Sequence, residues 1–198
     1  YCKRLLGLEH GDHQSWMDNK LLPNTRLLVE PKIEGSAMVL TYEKGHLKNA
    51  INKKGHNKTF QIAQIQNVPQ KIPILSTIRI QGVVYSPFSH SKNSGKYVLG
   101  RLNQHSHRHK DKAFAGFQIF NVDLNQHTQL KALSKLGFEI PPNEYTRRCV
   151  REVEIYIRLW KEKKIFYEIP NKGLVLKVNS RKFQKALGES QYYPYWAY

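Results

Sequence analysis

Acidic residues are scarce: 15 Asp and Glu stand against 32 Lys and Arg in 198 residues, a formal net charge of +17 at pH 7. An excess of that size excludes an indifferent surface. A strongly positive face attracts phosphate polyanions and gains free energy from the counterions they release, so nucleic acid is the leading partner and an anionic membrane surface the alternative. Cysteine is nearly absent. Cys2 and Cys149 offer no Cys-x-x-Cys spacing, which excludes a disulfide framework and suits a reducing, cytoplasmic compartment. Long apolar runs are missing as well. Stretches such as Gly173 to Leu176 with its flanks fall far below the ~20 residues of a membrane-spanning helix, so the chain reads as soluble, with no membrane partner. Fixed-period repeats and Pro-, Gly- or Ser-rich junctions are also lacking, which leaves residues 1–198 as one α+β domain. A chain that opens at Tyr1 without methionine reads as a fragment.

What is present is a core. Hydrophobic residues make up 40% of the chain and aromatics 11%, enough at this length to exclude disorder as the main state. Branched and apolar runs predict strands over 26–30, 36–42, 78–85, 115–122 and 173–178, with Glu43-Lys44-Gly45-His46 as the turn of a hairpin between Tyr42 and Leu47. Helices are fewer. Thr128 is a candidate cap for a helix carrying Leu130, Leu133 and Leu136 and stopped by Gly137. Residues 150–163, with Val153, Ile157 and Trp160 on one face, predict a second, and Ser180 to Leu187, ended by Gly188, a third.

Two lysine-bearing segments carry candidate chemistry. Glu30-Pro31-Lys32-Ile33-Glu34-Gly35 lies between two strand signals, which would hold the Lys32 ammonium at a fixed point. A positioned lysine becomes a nucleophile when burial or neighbouring cations lower its pKa. Taken alone, a lysine between two glutamates is more often a solvated salt-bridge face. The second segment is Lys172-Gly173-Leu174-Val175-Leu176-Lys177-Val178-Asn179. Lys177 there stands among apolar neighbours, where an unpaired cation is costly, so it should meet an anion.

Together with Tyr192-Tyr193-Pro194-Tyr195-Trp196-Ala197 downstream, these segments resemble, in order, the adenylation domain of bacterial NAD-dependent DNA ligases, more nearly the divergent second ligase of enteric bacteria. Leu5-Leu6-Gly7-Leu8-Glu9-His10 is similar to the family's Met-Leu-Ser-Leu-Asp-Asn beside the nucleotide. Glu30 to Gly35 resembles its Glu-Leu-Lys-Ile-Asp-Gly, Asn52-Lys53-Lys54-Gly55 its Thr-Arg-Gly-Asp-Gly, and Gln81-Gly82-Val83-Val84-Tyr85 its Arg-Gly-Glu-Val-Phe. Gly100-Arg101-Leu102-Asn103-Gln104 resembles Gly-Ser-Leu-Arg-Gln, and Phe120 stands for the aromatic that flanks the adenine.

The resemblance implies an α+β nucleotidyltransferase fold of the DNA ligase and mRNA capping enzyme kind, with antiparallel sheets and a few helices, cut at both ends relative to the family. The family's nicotinamide-reading N-terminal domain and a lysine expected beyond Trp196 lie outside it. Lys32 would attack the α-phosphate of NAD, carry AMP as a phosphoramidate and pass it to a 5′-phosphate at a nick in duplex DNA. ATP stays open as the alternative donor. Lys177 and Lys53 would neutralise phosphate charge, with Mg²⁺ to complement them. Leu8, Glu30 and Phe120 would complete the nucleotide site of a monomeric enzyme.

Departures from the family pattern point the other way. Val83 replaces a glutamate, Glu34 and Lys172 each stand for an aspartate, and Asn103 stands for an arginine. They favour the second reading, a ligase-like scaffold that binds DNA or nucleotide without turnover. His105, His107 and His109 alternate as zinc ligands do, yet flanking Arg108, Lys110 and Lys112 favour a basic loop on DNA phosphate. Lys48, Lys53, Lys54, His56 and Lys58 form another basic cluster. Tyr192, Tyr193, Tyr195 and Trp196 offer stacking on bases or, as the family resemblance favours, a packed corner.

Overall fold

The computed structural model describes residues 8, 11–87, 98, 102, 111–146 and 150–198. Asn103, the histidines at 105, 107 and 109, and both cysteines lie outside these residues.

Alternating runs build two antiparallel sheets. The larger has the order β3-β2-β4-β5, from β2 (Gly35–Glu43), β3 (His46–Asn52), β4 (Ile78–Tyr85) and β5 (Ala113–Ile119). The smaller runs β6-β1-β7, from β1 (Leu27–Ile33), β6 (Glu144–Tyr145) and β7 (Asn171–Val178). Only Glu34 separates β1 from β2, so the chain crosses from one sheet to the other just after Lys32. The predicted hairpin forms: Lys44 and Gly45 both take positive φ, 49° and 80°, as a two-residue turn with the right strand twist requires.

Period 2 on β4 sorts its residues. Ile80 and Val84 pack into the main core with Met38, Leu40, Phe114 and Leu133, whereas Val83 and Tyr85 join Ala113, Ala115 and Ile169 on the opposite face. Gly82 lies on the core face, where an added Cβ would collide with the Phe114 ring and the Ala115 carbonyl. Gly82→Ala is therefore expected to cost about 1–3 kcal/mol by overpacking, read as a lower urea midpoint. Gly116→Ala is the control, since its Cβ would meet nothing nearer than 3.4 Å.

Helices cover the outer faces: α1 (His13–Lys20), α2 (Thr59–Ile62), α3 (Gln126–Lys135), α4 (Val153–Lys161) and α5 (Arg181–Leu187). Leu133 of α3 enters the main core, and Trp16, Met17, Val153 and Phe183 pack with Leu27, Leu176 and Val178 on the smaller sheet. Sequence patterning misses α1, a polar helix with only Trp16 and Met17 buried, although Asp12 caps it through Gln14 and Ser15. It misses the single turn of α2 as well.

Several boundaries move. The Thr128 cap gives way to a start at Gln126, because Asn179 supplies the cap from across the fold: its carbonyl accepts from Gln126 N and its Oδ1 from His127 N, both at 2.9 Å. The strand predicted to Val122 stops at Ile119. Residues 150–152 form a 3₁₀ turn before α4, which ends at Lys161 rather than 163. The third predicted helix holds, with Ser180 accepting from Phe183 N and Gly188 at φ 74°. No helix among the described residues is long and apolar enough to cross a membrane.

Candidate active site

A cavity of about 390 Å³ opens between the two sheets, a volume within the range of small-molecule sites. Glu30, Lys32, Val175 and Lys177 line it from the smaller sheet. Ala37, Gln81, Val83, Phe117 and Gln118 line it from the larger, and Phe120, Leu8 and Trp196 also belong to the lining.

Strand register explains the charged wall. Leu28 pairs with Lys177, so Glu30, two residues on, is the same-face diagonal neighbour of Lys177. Their side chains meet at 2.6 Å with both ends buried, and the anion demanded by a buried Lys177 is therefore Glu30. The Lys177 Nζ also lies 4.5 Å from the centre of the Phe117 ring, close enough for a cation–π contact. Only one carboxylate oxygen is used. Glu30 is one of the lining residues, and its Oε1 is buried with no hydrogen-bond partner among the described residues, a costly arrangement unless a donor reaches it.

Pro31 is tolerated in a central strand for a local reason. On its β6 side, β1 is paired only at Leu28 and Val29, so beyond them it is an edge and the missing N–H breaks no ladder there.

Two bulges aim the side chains. Pro31 faces Leu174 and Ile33 faces Asn171, which sets Lys172 and Gly173 together opposite Lys32. On the other wall Gln81 pairs with Gln118 and Gly82 with Gly116, leaving Phe117 as the extra residue. A regular strand would alternate Phe117 and Gln118 between faces, whereas the bulge lets both reach the cavity. The Phe117 carbonyl is taken by Gln126 Nε2 at 2.8 Å.

Lys32 stands half-buried on the strand itself, and burial lowers its pKa from the ordinary lysine value. Its sequence neighbour Glu34 is ion-paired with Lys172. Leu8, Glu30, Lys32, Phe120 and Lys177 thus share one cavity. Lys53 does not: it stands on the exposed turn after β3, away from the lining. The other basic residues of that segment, Lys54 and His56, are exposed too.

Sequence reasoning overlooked Phe117 and Gln118. The Phe117-x-x-Phe120 spacing, impossible for one face of a regular strand, was the available signal. The aromatic corner packs in part: Trp196 is buried, Trp16 Nε1 donates to the Tyr195 carbonyl at 3.1 Å and Ala197 bridges to Lys177, whereas Tyr192 is exposed.

A divalent ion held by side chains does not fit this lining. Of the acids on the lining, Glu30 is paired with Lys177 and Glu189 is exposed; Glu34, off the lining, is paired with Lys172, Val83 sits in an apolar cluster, and no group of three metal-ligating residues occurs among the described residues.

Comparison with known proteins gives the same picture. The profile of the NAD-dependent DNA ligase adenylation domain matches residues 9–118 and 86–198. A DNA ligase of Leptospira interrogans is 32% identical over 202 residues, covering 90% of this chain and 30% of that protein. One from Thermotoga neapolitana is 27% identical over 86% of the chain and 28% of the relative. The chain thus spans less than a third of the length of these relatives. Among solved structures, an archaeal ATP-dependent RNA ligase superposes with a TM-score of 0.62 at 12% identity, over 91% of this chain and 46% of that one. A putative ATP-dependent DNA ligase from Aquifex aeolicus superposes at 0.56 and 15%, over 85% and 44%. These two speak for the fold alone. With the profile spanning nearly all of the chain and the sheets closing on one lysine-lined cavity, the chain belongs to the NAD-dependent DNA ligase adenylation domain family.

Proposed function

We propose that this domain adenylates itself on Lys32 and hands the AMP to a 5′-phosphate at a nick in duplex DNA. The observation that carries this reading is a partly desolvated Lys32 amine lining a cavity whose other walls suit a purine nucleoside.

In its neutral form the Lys32 Nζ lone pair attacks the α-phosphorus of the donor. A P–N bond forms and the P–O bond to the leaving group breaks, releasing nicotinamide mononucleotide from NAD or pyrophosphate from ATP. The amine proton leaves to solvent. Phe117 and Phe120 sandwich the base, and Glu30 Oε1 accepts from its exocyclic amine, completing the unpartnered oxygen. Gln81 and Gln118 meet the ribose hydroxyls. Lys177, held by Glu30, orients that carboxylate and adds positive potential to the phosphate side. Lys53 retains only the role implied by family register, and on an exposed turn it is better suited to DNA phosphate than to AMP. The +17 charge supports a DNA partner in the same way.

The test is to incubate the full-length protein with adenylate-labelled NAD and, separately, with labelled ATP. Acid-labile label on the peptide carrying Lys32 is expected from one donor, which also identifies it. Label from neither, with duplex DNA still bound, would instead establish the non-catalytic scaffold that Val83 favours.

A further inference from the structure

On its outer edge β5 has no neighbouring strand among the described residues, and its backbone groups are met one by one. Phe114 N donates to Asn67 Oδ1 at 2.9 Å and the Phe114 carbonyl accepts from Asn67 Nδ2 at 3.0 Å, while Gly116 N donates to the Glu139 carbonyl at 2.8 Å. Past the bulge the outward groups move from even to odd positions. The Phe117 carbonyl accepts from Gln126 Nε2 at 2.8 Å, and Ile119 N donates to Gln129 Oε1 at 2.9 Å. A shift by one is what an extra residue imposes. Phe117 is that residue, opposite no residue of β4, whereas Gln118 and Ile119 are held by their pairing with Gln81 and Ile80.

Gln126 does more than cap an edge. Its own backbone N–H donates to the Asn179 carbonyl at 2.9 Å, and Asn179 follows β7 two residues after Lys177. One residue therefore ties the end of the strand carrying Lys177 to the bulge carrying Phe117, bridging the two sheets whose facing sides form the cavity. Its side chain belongs to a residue only 1% exposed, yet Oε1 is buried without a partner among the described residues, a cost carried beside the bond to Phe117. Leu130 and Leu133 anchor α3 in the interior, so the Gln126 amide is presented from a fixed base.

We infer that Gln126 is a positioning residue for the nucleoside: through the Phe117 carbonyl it fixes the bulge that turns Phe117 and Gln118 to the cavity together. This rests on the nucleotide reading of the cavity for its ligand, but its test needs no adenyl transfer. Gln129 is the structural counterpart. It is equally buried and makes two bonds, from Ile119 N and to the Leu124 carbonyl, but neither Ile119 nor Leu124 lines the cavity.

Methionine keeps the length of glutamine and removes its polar atoms. In the full-length protein, AMP affinity by calorimetry and the urea midpoint should rank the two methionine variants in opposite orders. Gln129→Met breaks two bonds and is expected to lower the midpoint more, with AMP affinity within about twofold of wild type. Gln126→Met breaks one bond and removes an unsatisfied oxygen, so it should lower the midpoint less. It should weaken AMP about tenfold, near the low end for the loss of one base–aromatic stack. Added to Phe117→Leu, the same change is expected to weaken AMP by less than about threefold more, because contacts in series are not additive. Where the labelled donor reacts, Gln126→Met should raise its KM about tenfold with kcat within about twofold, since Lys32 stands on the other sheet. A full further tenfold loss on top of Phe117→Leu would overturn the inference. So would unchanged AMP affinity in Gln126→Met, equal weakening in Gln129→Met, a fall in kcat at constant KM, or no AMP binding by wild type. AMP bound with the expected ranking, but no label on Lys32 from either donor, would sink the proposed activity and leave Gln126 in its role.

Discussion

Lys32→Ala is expected to leave no acid-labile adenylate on the protein, a loss of at least about 10³-fold, because removing a covalent nucleophile removes the bond that defines the intermediate. Lys32→Arg is the sharper comparison. Arginine keeps the positive charge, so any contribution from phosphate attraction survives, yet its guanidinium stays protonated and offers no lone pair. Near wild-type activity in the Lys32→Arg variant would show that Lys32 only attracts phosphate. The pH profile carries the same argument. Burial moves the Lys32 pKa below 10.5, and below its pKa the amine is protonated and inert. The adenylation rate should therefore climb with pH and level off before reaching that ordinary value. A plateau only above it would contradict the desolvation seen in the structure.

Breaking the buried pair is expected to be the costliest change to stability. Lys177→Met leaves the Glu30 carboxylate buried with neither oxygen compensated, at a cost of about 3–5 kcal/mol. Glu30 is only 2% exposed and already has one oxygen without a partner, so little solvent is available to relieve it. Glu30→Gln should cost less, since the amide can still accept from Lys177. Lys177→Met combined with Glu30→Leu should recover much of the loss, because replacing both partners removes the desolvation penalty along with the attraction. Urea unfolding of Lys177→Met, Glu30→Leu and the double variant closes a double-mutant cycle. Additive single effects would mean that the 2.6 Å contact carries no coupling.

Such a pair suits a nucleotide site better than a structural one. A salt bridge kept only for stability would be expected to satisfy both carboxylate oxygens, whereas in Glu30, a residue of the cavity lining, one is without a partner among the described residues. Ordering Lys177 before a ligand arrives reduces the entropy lost on binding.

How much of this was legible varied residue by residue. The strands over 26–30 and 173–178 were visible as apolar runs, whereas the continuation of β1 through Lys32 to Ile33 was not; the need for an anion at Lys177 followed from burial alone. That the anion is Glu30 was not visible, because the pairing depends on Leu28 aligning with Lys177, a long-range relation that no local window contains. The start of α3 was misplaced for the same reason: Thr128 is a good local cap, and Asn179 outcompetes it only because β7 ends beside the helix. Lys53 shows the converse, a residue in family register that the fold leaves on an exposed turn.

The scarcity of acids acquires a specific meaning at this site. Sequence by itself determined the positive charge, the strand and helix periods, the hairpin at Lys44-Gly45 and the candidate nucleophile, since each rests on composition, alternation or turn chemistry over a few residues. Only the tertiary structure decided that Phe117 joins Phe120 on the cavity lining, that Glu30 pairs with Lys177 through one oxygen and leaves the other without a partner among the described residues, and that Glu34 and Lys172 neutralise each other. The physical reason is register. A one-residue bulge on either wall changes which side chains face the cavity, and bulges are set by how distant strands align.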